Sequence, residues 1–163
     1  MGYADDMVLR DNDLNALLDG VKGNGVISGC AVVQSGTPAM TVEVAAGDVR
    51  VNGVRVSVSA VQKAISAAHA SYPRKDIISV NSSGVVTVAA GTPAAALDSY
   101  GELTVDVGPY VPVPAPPNIP TNEIIICEIW VAANETTILN ADITDRRVMI
   151  ITDHGSLSGL DAD

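Results

Sequence analysis

Asp142 and Asp145, in "DITDRR", are the nearest this sequence comes to a carboxylate pair for acid–base work. A general acid needs a carboxyl held protonated near neutral pH, by burial or by a like charge. Arg146 and Arg147 follow at once, and neighbouring guanidinium groups favour the ionised form, so the stretch reads as a structural ion-pair cluster. Only two histidines exist, His69 in a connector and His154 near the end, and neither has a local arrangement that would make it the base for a Ser or Cys. They read as surface or interface residues. "GSLSG", Gly155 to Gly159, has the glycines of a hydrolase elbow but puts Leu157 at the nucleophile's position.

Two further motifs fail on geometry. "GNGVISG" resembles a dinucleotide-binding glycine loop, yet it follows a predicted helix and leads into a predicted strand. A pyrophosphate site needs the reverse order, so that backbone N–H groups at a helix start face the phosphates. "DNDLNALLDGVK" starts like a calcium loop, with Asp11, Asp13 and Asn15, but has Ala16 where the turn needs Gly and Lys22 where a bidentate Glu is required. Cys30 and Cys127 lie in apolar runs, "VISGCAVV" and "IIICEIW", without a nearby His, which excludes a metal site of ordinary spacing. Two readings stay open for them: buried thiols acting as small hydrophobes, or a disulfide between two strands. The sequence therefore predicts no catalytic residue, no metal ligand and no cofactor.

The elements around these residues follow from periodicity. Leu14, Leu17, Leu18 and Val21 recur at i, i+3, i+4 and i+7, which predicts a short amphipathic helix capped by Asp11, Asn12 or Asp13 and ended by Gly20 or Gly23. So short a helix is marginal alone, and its stripe needs a partner: its own sheet or another copy of the chain. From Gly25 the period becomes two. "GVISGCAVVQS" reads as one strand, "MTVEVAAG" as a second with Val42 and Val44 on one face, and "DVRVNGVRVSVS" as a tight hairpin. Asn52-Gly53 supplies the two positive-φ residues of its type I′ turn. "AVQKAISAAHASYP" reads as a connector with a helical turn or another strand, and "KDIISVNSSGVVTVAAG" as a second hairpin. "GPYVPVPAPPNIP" has six prolines in thirteen residues and is expected to run extended over the surface, since proline lacks a ladder donor. "NEIIICEIWVAAN" is the most apolar strand, expected to be buried on both faces, and "ETTILNADITDRRVMIIT" returns through a turn to a last strand.

Composition agrees. Hydrophobic residues make up 47% with no Phe, so the core must be Val, Ile, Leu and Ala, a set rich in β-branched strand formers. The net charge of −10, with nine Lys plus Arg, argues against nucleic acid and against an anionic membrane surface. No run approaches the roughly 18 apolar residues of a membrane span, and "MGYADDMVLR" has no secretory layout. The expected fold is all-β, an antiparallel sandwich or small barrel with one N-terminal helix. Residues 1–24 form an arm and helix, 25–151 the β domain with a Pro-rich surface loop at 108–120, and 152–163 a tail.

Four stretches, in order, resemble a widespread type of phage and prophage tail protein. They are "GVISGCAVVQSGTPAMTVEVAAGDVRVNGVRV", then "YPRKDIISV", then "GTPAA" with "VPVPAPPNIP", and last "ITDRR". The tail adds "DHGSLSGL", which is similar to the opening of a fibre segment but departs from it after Leu160 with "DAD". The resemblance implies a structural protein of the virion tail, made in the host cytoplasm: an adaptor or attachment domain joining a fibre to the tail or baseplate, as a homotrimer. The stripe of Leu14, Leu17, Leu18 and Val21 is then the expected contact around a threefold axis. Complementary charges at strand ends predict that Arg74 and Asp76 pair with Asp145 and Arg146. Expected partners are further copies of the chain and other tail or baseplate proteins, with no nucleic acid and no membrane insertion. The competing reading is a receptor- or carbohydrate-binding module of a tail tip that meets a host surface receptor. Tyr100 and Tyr110, flanking the Pro-rich loop, are its candidate ligand contacts, with Tyr72 behind them and Trp130 read as core or interface.

Overall fold

The computed structural model describes residues 23–93 and 114–150. Ten strands lie along them: β1 (Gly25–Gly29), β2 (Val32–Gln34), β3 (Thr41–Val44), β4 (Gly47–Val51), β5 (Val54–Val58), β6 (Val61–Ala64), β7 (Arg74–Asn81), β8 (Val86–Ala89), β9 (Glu123–Val131) and β10 (Ile143–Asp145). They form three antiparallel sheets in the orders β1-β4-β5, β2-β3-β6 and β10-β9-β7-β8. The all-β expectation holds. None of the three sheets is closed, so the barrel alternative finds no counterpart among the described residues. The expected helix and its stripe lie outside the described residues, as do Tyr100 and Tyr110.

Turn chemistry sets the local plan. At the β4–β5 turn Asn52 has φ 51° and Gly53 φ 79°, the left-handed pair that a type I′ turn requires. Val51 pairs with Val54 and Val49 with Val56, so the valines of the hairpin share one face. The β7–β8 hairpin also forms as expected, its turn closed by Asn81, whose side-chain oxygen accepts from the N–H groups of Ser83 and Val85. One expectation is corrected. "GVISGCAVVQS" is two strands, because Gly29 (φ 63°) and Cys30 (φ 57°) turn left-handed in succession and send β1 and β2 into different sheets. A Cβ on Gly29 would also run into the Ala46 carbonyl oxygen.

β9 is an interior strand of the largest sheet, flanked by β7 and β10. Its register with β7 shifts between Ile78 and Ser79, so that Cys127 opposes Ile78 and Ile125 opposes Ser79, with Ile126 as the extra residue. The bulge lets neighbouring Ile126 and Cys127 both enter the core. The reverse face carries Ile77, Glu128, Lys75 and Trp130 in cross-strand pairs, and Ile77 and Glu128 are buried there. The core is shared by all three sheets: Val26 and Val49, Val42 and Val44, and Ile78, Val80 and Ile129 belong to one cluster, closed by Ile65 and Ile138 from connectors. Each such Val or Ile contributes roughly 1.5–3 kcal/mol by leaving water. After a 3-10 turn at Asn140–Asp142 and β10, the chain crosses from one sheet to another. Val26 N–H donates to the Val148 carbonyl and Ile150 N–H to the Val26 carbonyl, both at 2.8 Å, so residues 148–150 run parallel along β1.

Candidate functional site

The most deeply built polar group sits where β7 begins. Pro73 precedes Arg74, and Arg74 and Asp76, two apart on one strand, point to the same side. Arg74 Nε donates to Asp76 Oδ1 at 2.8 Å and Nη2 to Oδ2 at 3.1 Å. The remaining guanidinium donors reach the Ala67 carbonyl at 2.8 Å and the Ser66 carbonyl at 2.6 Å. Asp76 Oδ1 also accepts the Gly91 N–H at 3.0 Å. The pair is buried, with 5% and 0% of the two side chains exposed. It therefore clamps three segments: the β6–β7 connector, β7, and the chain leaving β8.

A second charged cluster lies on the reverse face. Lys75 Nζ is 2.9 Å from Glu128 Oε1, and Arg146 Nη2 is 3.3 Å from Oε2. Burial pushes the Glu128 carboxyl up, but Lys75 and Arg146 together hold it below its ordinary value. Asp145 pairs with Arg147 instead, whose Nε and Nη2 both donate to it, and this holds its carboxyl low. Arg147 also donates through Nη1 to the Gly29 carbonyl at 2.7 Å, tying β10's end to the β1 corner.

The expected pairing of Arg74 and Asp76 with Asp145 and Arg146 is thus corrected. All four residues are in ion pairs, but Arg74 joins Asp76, Asp145 joins Arg147, and Arg146 joins Glu128. The reason is strand order: β9 lies between β7 and β10, and through it Asp145 aligns with Cys127 and Ile78, not with the start of β7. Asp142, the other half of the carboxylate pair, accepts the Leu139 N–H at 2.9 Å and serves as a turn cap.

Other chemistry-bearing groups are equally committed. Glu123 Oε2 accepts from the Ser79 hydroxyl and, at 2.6 Å, from the Thr87 hydroxyl. Ser79 is fully buried, so this hydroxyl cannot meet a substrate. His69 Nδ1 accepts the N–H groups of Ser71 and Tyr72 at 3.1 Å, and its ring stacks on Tyr72 with centroids 5.2 Å apart. That fits a turn-forming surface histidine and occupies Tyr72. Cys30 and Cys127 are both free and buried, which resolves the choice between thiols and a disulfide. Among the described residues no group of three His, Cys, Asp or Glu is placed to hold a metal ion.

One open groove of about 500 Å³ crosses the β2-β3-β6 sheet, lined by Val33, Glu43, Ala45, Ala60, Val61 and Gln62. Val33, Glu43 and Gln62 share a face because they pair directly across the three strands. Glu43 Oε1 is anchored by the Gly36 N–H at 3.2 Å, and Gln62 Nε2 donates to Ser35 Oγ at 2.9 Å. The groove offers a carboxylate and an amide over small apolar side chains. Sequence reasoning missed it, along with the Glu123 cluster and the hub role of Glu128. The signal available was slight: single acids inside Val- and Ile-rich strands, where an unpaired charge would be costly.

No family model, no curated protein and no solved structure matches this chain.

Proposed function

We propose that this chain is a non-enzymatic structural component of a phage tail, an adaptor or attachment domain that joins a fibre to the tail or baseplate as a homotrimer. The observation that carries the reading is where the resembling stretches sit. "YPRKDIISV" runs into β7 and delivers the buried Arg74–Asp76 clamp, and "ITDRR" is β10 with the Arg146 and Arg147 pairs. These arginines and carboxylates fasten strands to one another, which suits a part that must keep its shape in an assembly. The acidic Val/Ile-rich domain is consistent with that role, and the Leu14, Leu17, Leu18 and Val21 stripe remains the contact proposed for the threefold axis.

The test is immunogold electron microscopy, with antibody to the purified chain, on particles from a lysate of cells carrying the gene. Label at the end of the tail is expected. Clean particles, with the antigen confined to the soluble fraction, would sink the reading. Light scattering on the same preparation of chain should give the mass of three copies if the trimer forms without the rest of the tail.

A further inference from the structure

β6 is an outer strand of the β2-β3-β6 sheet, and its ladder fixes which way its backbone groups point. Ile65 N–H donates to the Met40 carbonyl at 2.8 Å, and the same register pairs Lys63 with Val42 and Val61 with Val44. Hydrogen-bonded pairs alternate along an antiparallel ladder, so Val61, Lys63 and Ile65 turn their N–H and C=O groups toward β3. Those of Gln62 and Ala64 point the other way, out of the edge of the sheet. Both residues are exposed, and among the described residues no hydrogen bond reaches their backbone from that side.

The other outer strands of the two three-stranded sheets are each met by another segment. Residues 148–150 run along β1, Asn140 Oδ1 accepts the outward Gln34 N–H of β2 at 2.8 Å, and a Cβ on Gly84 would meet the Ser57 carbonyl oxygen of β5. An open edge is a template for a further strand, and natural sheets guard it or use it. β6 carries one guard. Lys63 pairs with buried Val42 and so lies on the core-side face, half-buried between Val61 and Ile65. Among the described residues it has no ion-pair partner. If two copies paired β6 to β6 with Gln62 matched to Ala64, their Lys63 ammonium groups would face each other, which is unfavourable.

We infer that the β6 edge takes an added antiparallel strand from a partner protein, an extended segment of the pattern apolar–x–acid–x–apolar. Main-chain hydrogen bonds to Gln62 and Ala64 hold the strand, and alternate side chains select it. Its acid sits opposite Lys63, and its two apolar residues sit opposite Val61 and Ile65, where they extend the core-side face. The x positions fall on the outer face beside Gln62, whose amide is already tied to Ser35 Oγ at 2.9 Å. The edge serves in this way whether or not the chain belongs to a tail.

The test is an NMR titration of the full isotope-labelled chain with two capped peptides, Thr-Val-Thr-Glu-Thr-Val-Thr and the same peptide with Lys in place of Glu. The Glu peptide should bind at roughly millimolar concentration or below, with the Gln62 and Ala64 amides shifted and protected from exchange. It should bind at least about threefold more tightly than the Lys peptide, and Lys63→Glu should reverse that order. Ala64→Pro removes an outward N–H that β3 does not use, and should abolish binding. If that variant melts at a lower temperature, Gln62→Pro is read in its place. Glu43→Gln, in the neighbouring groove, should bind as wild type does. Absence of binding, equal binding of the two peptides, or binding that survives the edge proline overturns the inference. Self-association of the wild type that the proline abolishes overturns it as well, and assigns the edge to a second copy.

Discussion

Burial pushes the Cys127 thiol up to about 12, because its thiolate would sit in the apolar core; the Ile78 backbone opposes this weakly, and Asp145 and Glu128 add to it. In the unfolded chain the same thiol titrates near its ordinary 9.0. Between those values the unfolded state has already lost the proton that the folded state keeps. Stability from this group is therefore complete below 9.0 and is lost as pH rises toward about 12. Other groups titrate in that range, so the difference between wild type and Cys127→Ala isolates it. Urea unfolding should show a steeper loss with pH for wild type, and equal slopes would refute the assignment. Glu128 has the opposite sign: its carboxyl is held low, so its contribution falls away in acid.

At the scale of elements, the Arg74–Asp76 clamp is the feature whose removal should be felt furthest. Asp76→Ala leaves a buried guanidinium with only two carbonyl partners and frees the Gly91 N–H. Breaking one side of a buried pair costs about 3–5 kcal/mol. Chemical denaturation should show a loss of that order, and a loss under about 1 kcal/mol, the worth of a surface pair, would mean the clamp is not holding the strands. The clamp also explains how short elements without a helix between them keep their places: one side chain spans a connector, a strand and the chain beyond the next strand.

For the whole molecule, the decisive element is the stretch that leaves β10. It leaves the edge strand of the four-stranded sheet, passes the Arg147 contact to the Gly29 carbonyl, and then lies parallel along β1. Two sheets far apart in sequence are tied by it. Gly25 is where the approach is tightest: a Cβ there would meet the Val148 carbonyl oxygen and the Ile150 side chain. Gly25→Val should push residues 148–150 off β1 and cost about 1–3 kcal/mol, as overpacking does. Hydrogen exchange should show the Val26 and Ile150 amides losing protection before the β4–β5 hairpin does; unchanged protection would show that the stretch is not needed to join the sheets.

By itself, the sequence determined the all-β class, the Asn52-Gly53 hairpin, the β7–β8 hairpin and the burial of both cysteines. Each follows from chemistry within a few residues: a left-handed pair at a turn, alternation along a strand, the apolar character of a run. Only the tertiary structure decided which charges pair. Asp145 chose Arg147 and Arg146 chose Glu128 because β9 inserts between β7 and β10, and strand order is a matter of contacts distant in sequence. It also decided the corner at Gly29 and Cys30, since an apolar run through a left-handed pair reads as continuous until two sheets pull it apart. The Glu43 groove arises in the same way, from residues that cross-strand register brings together and that no local pattern links.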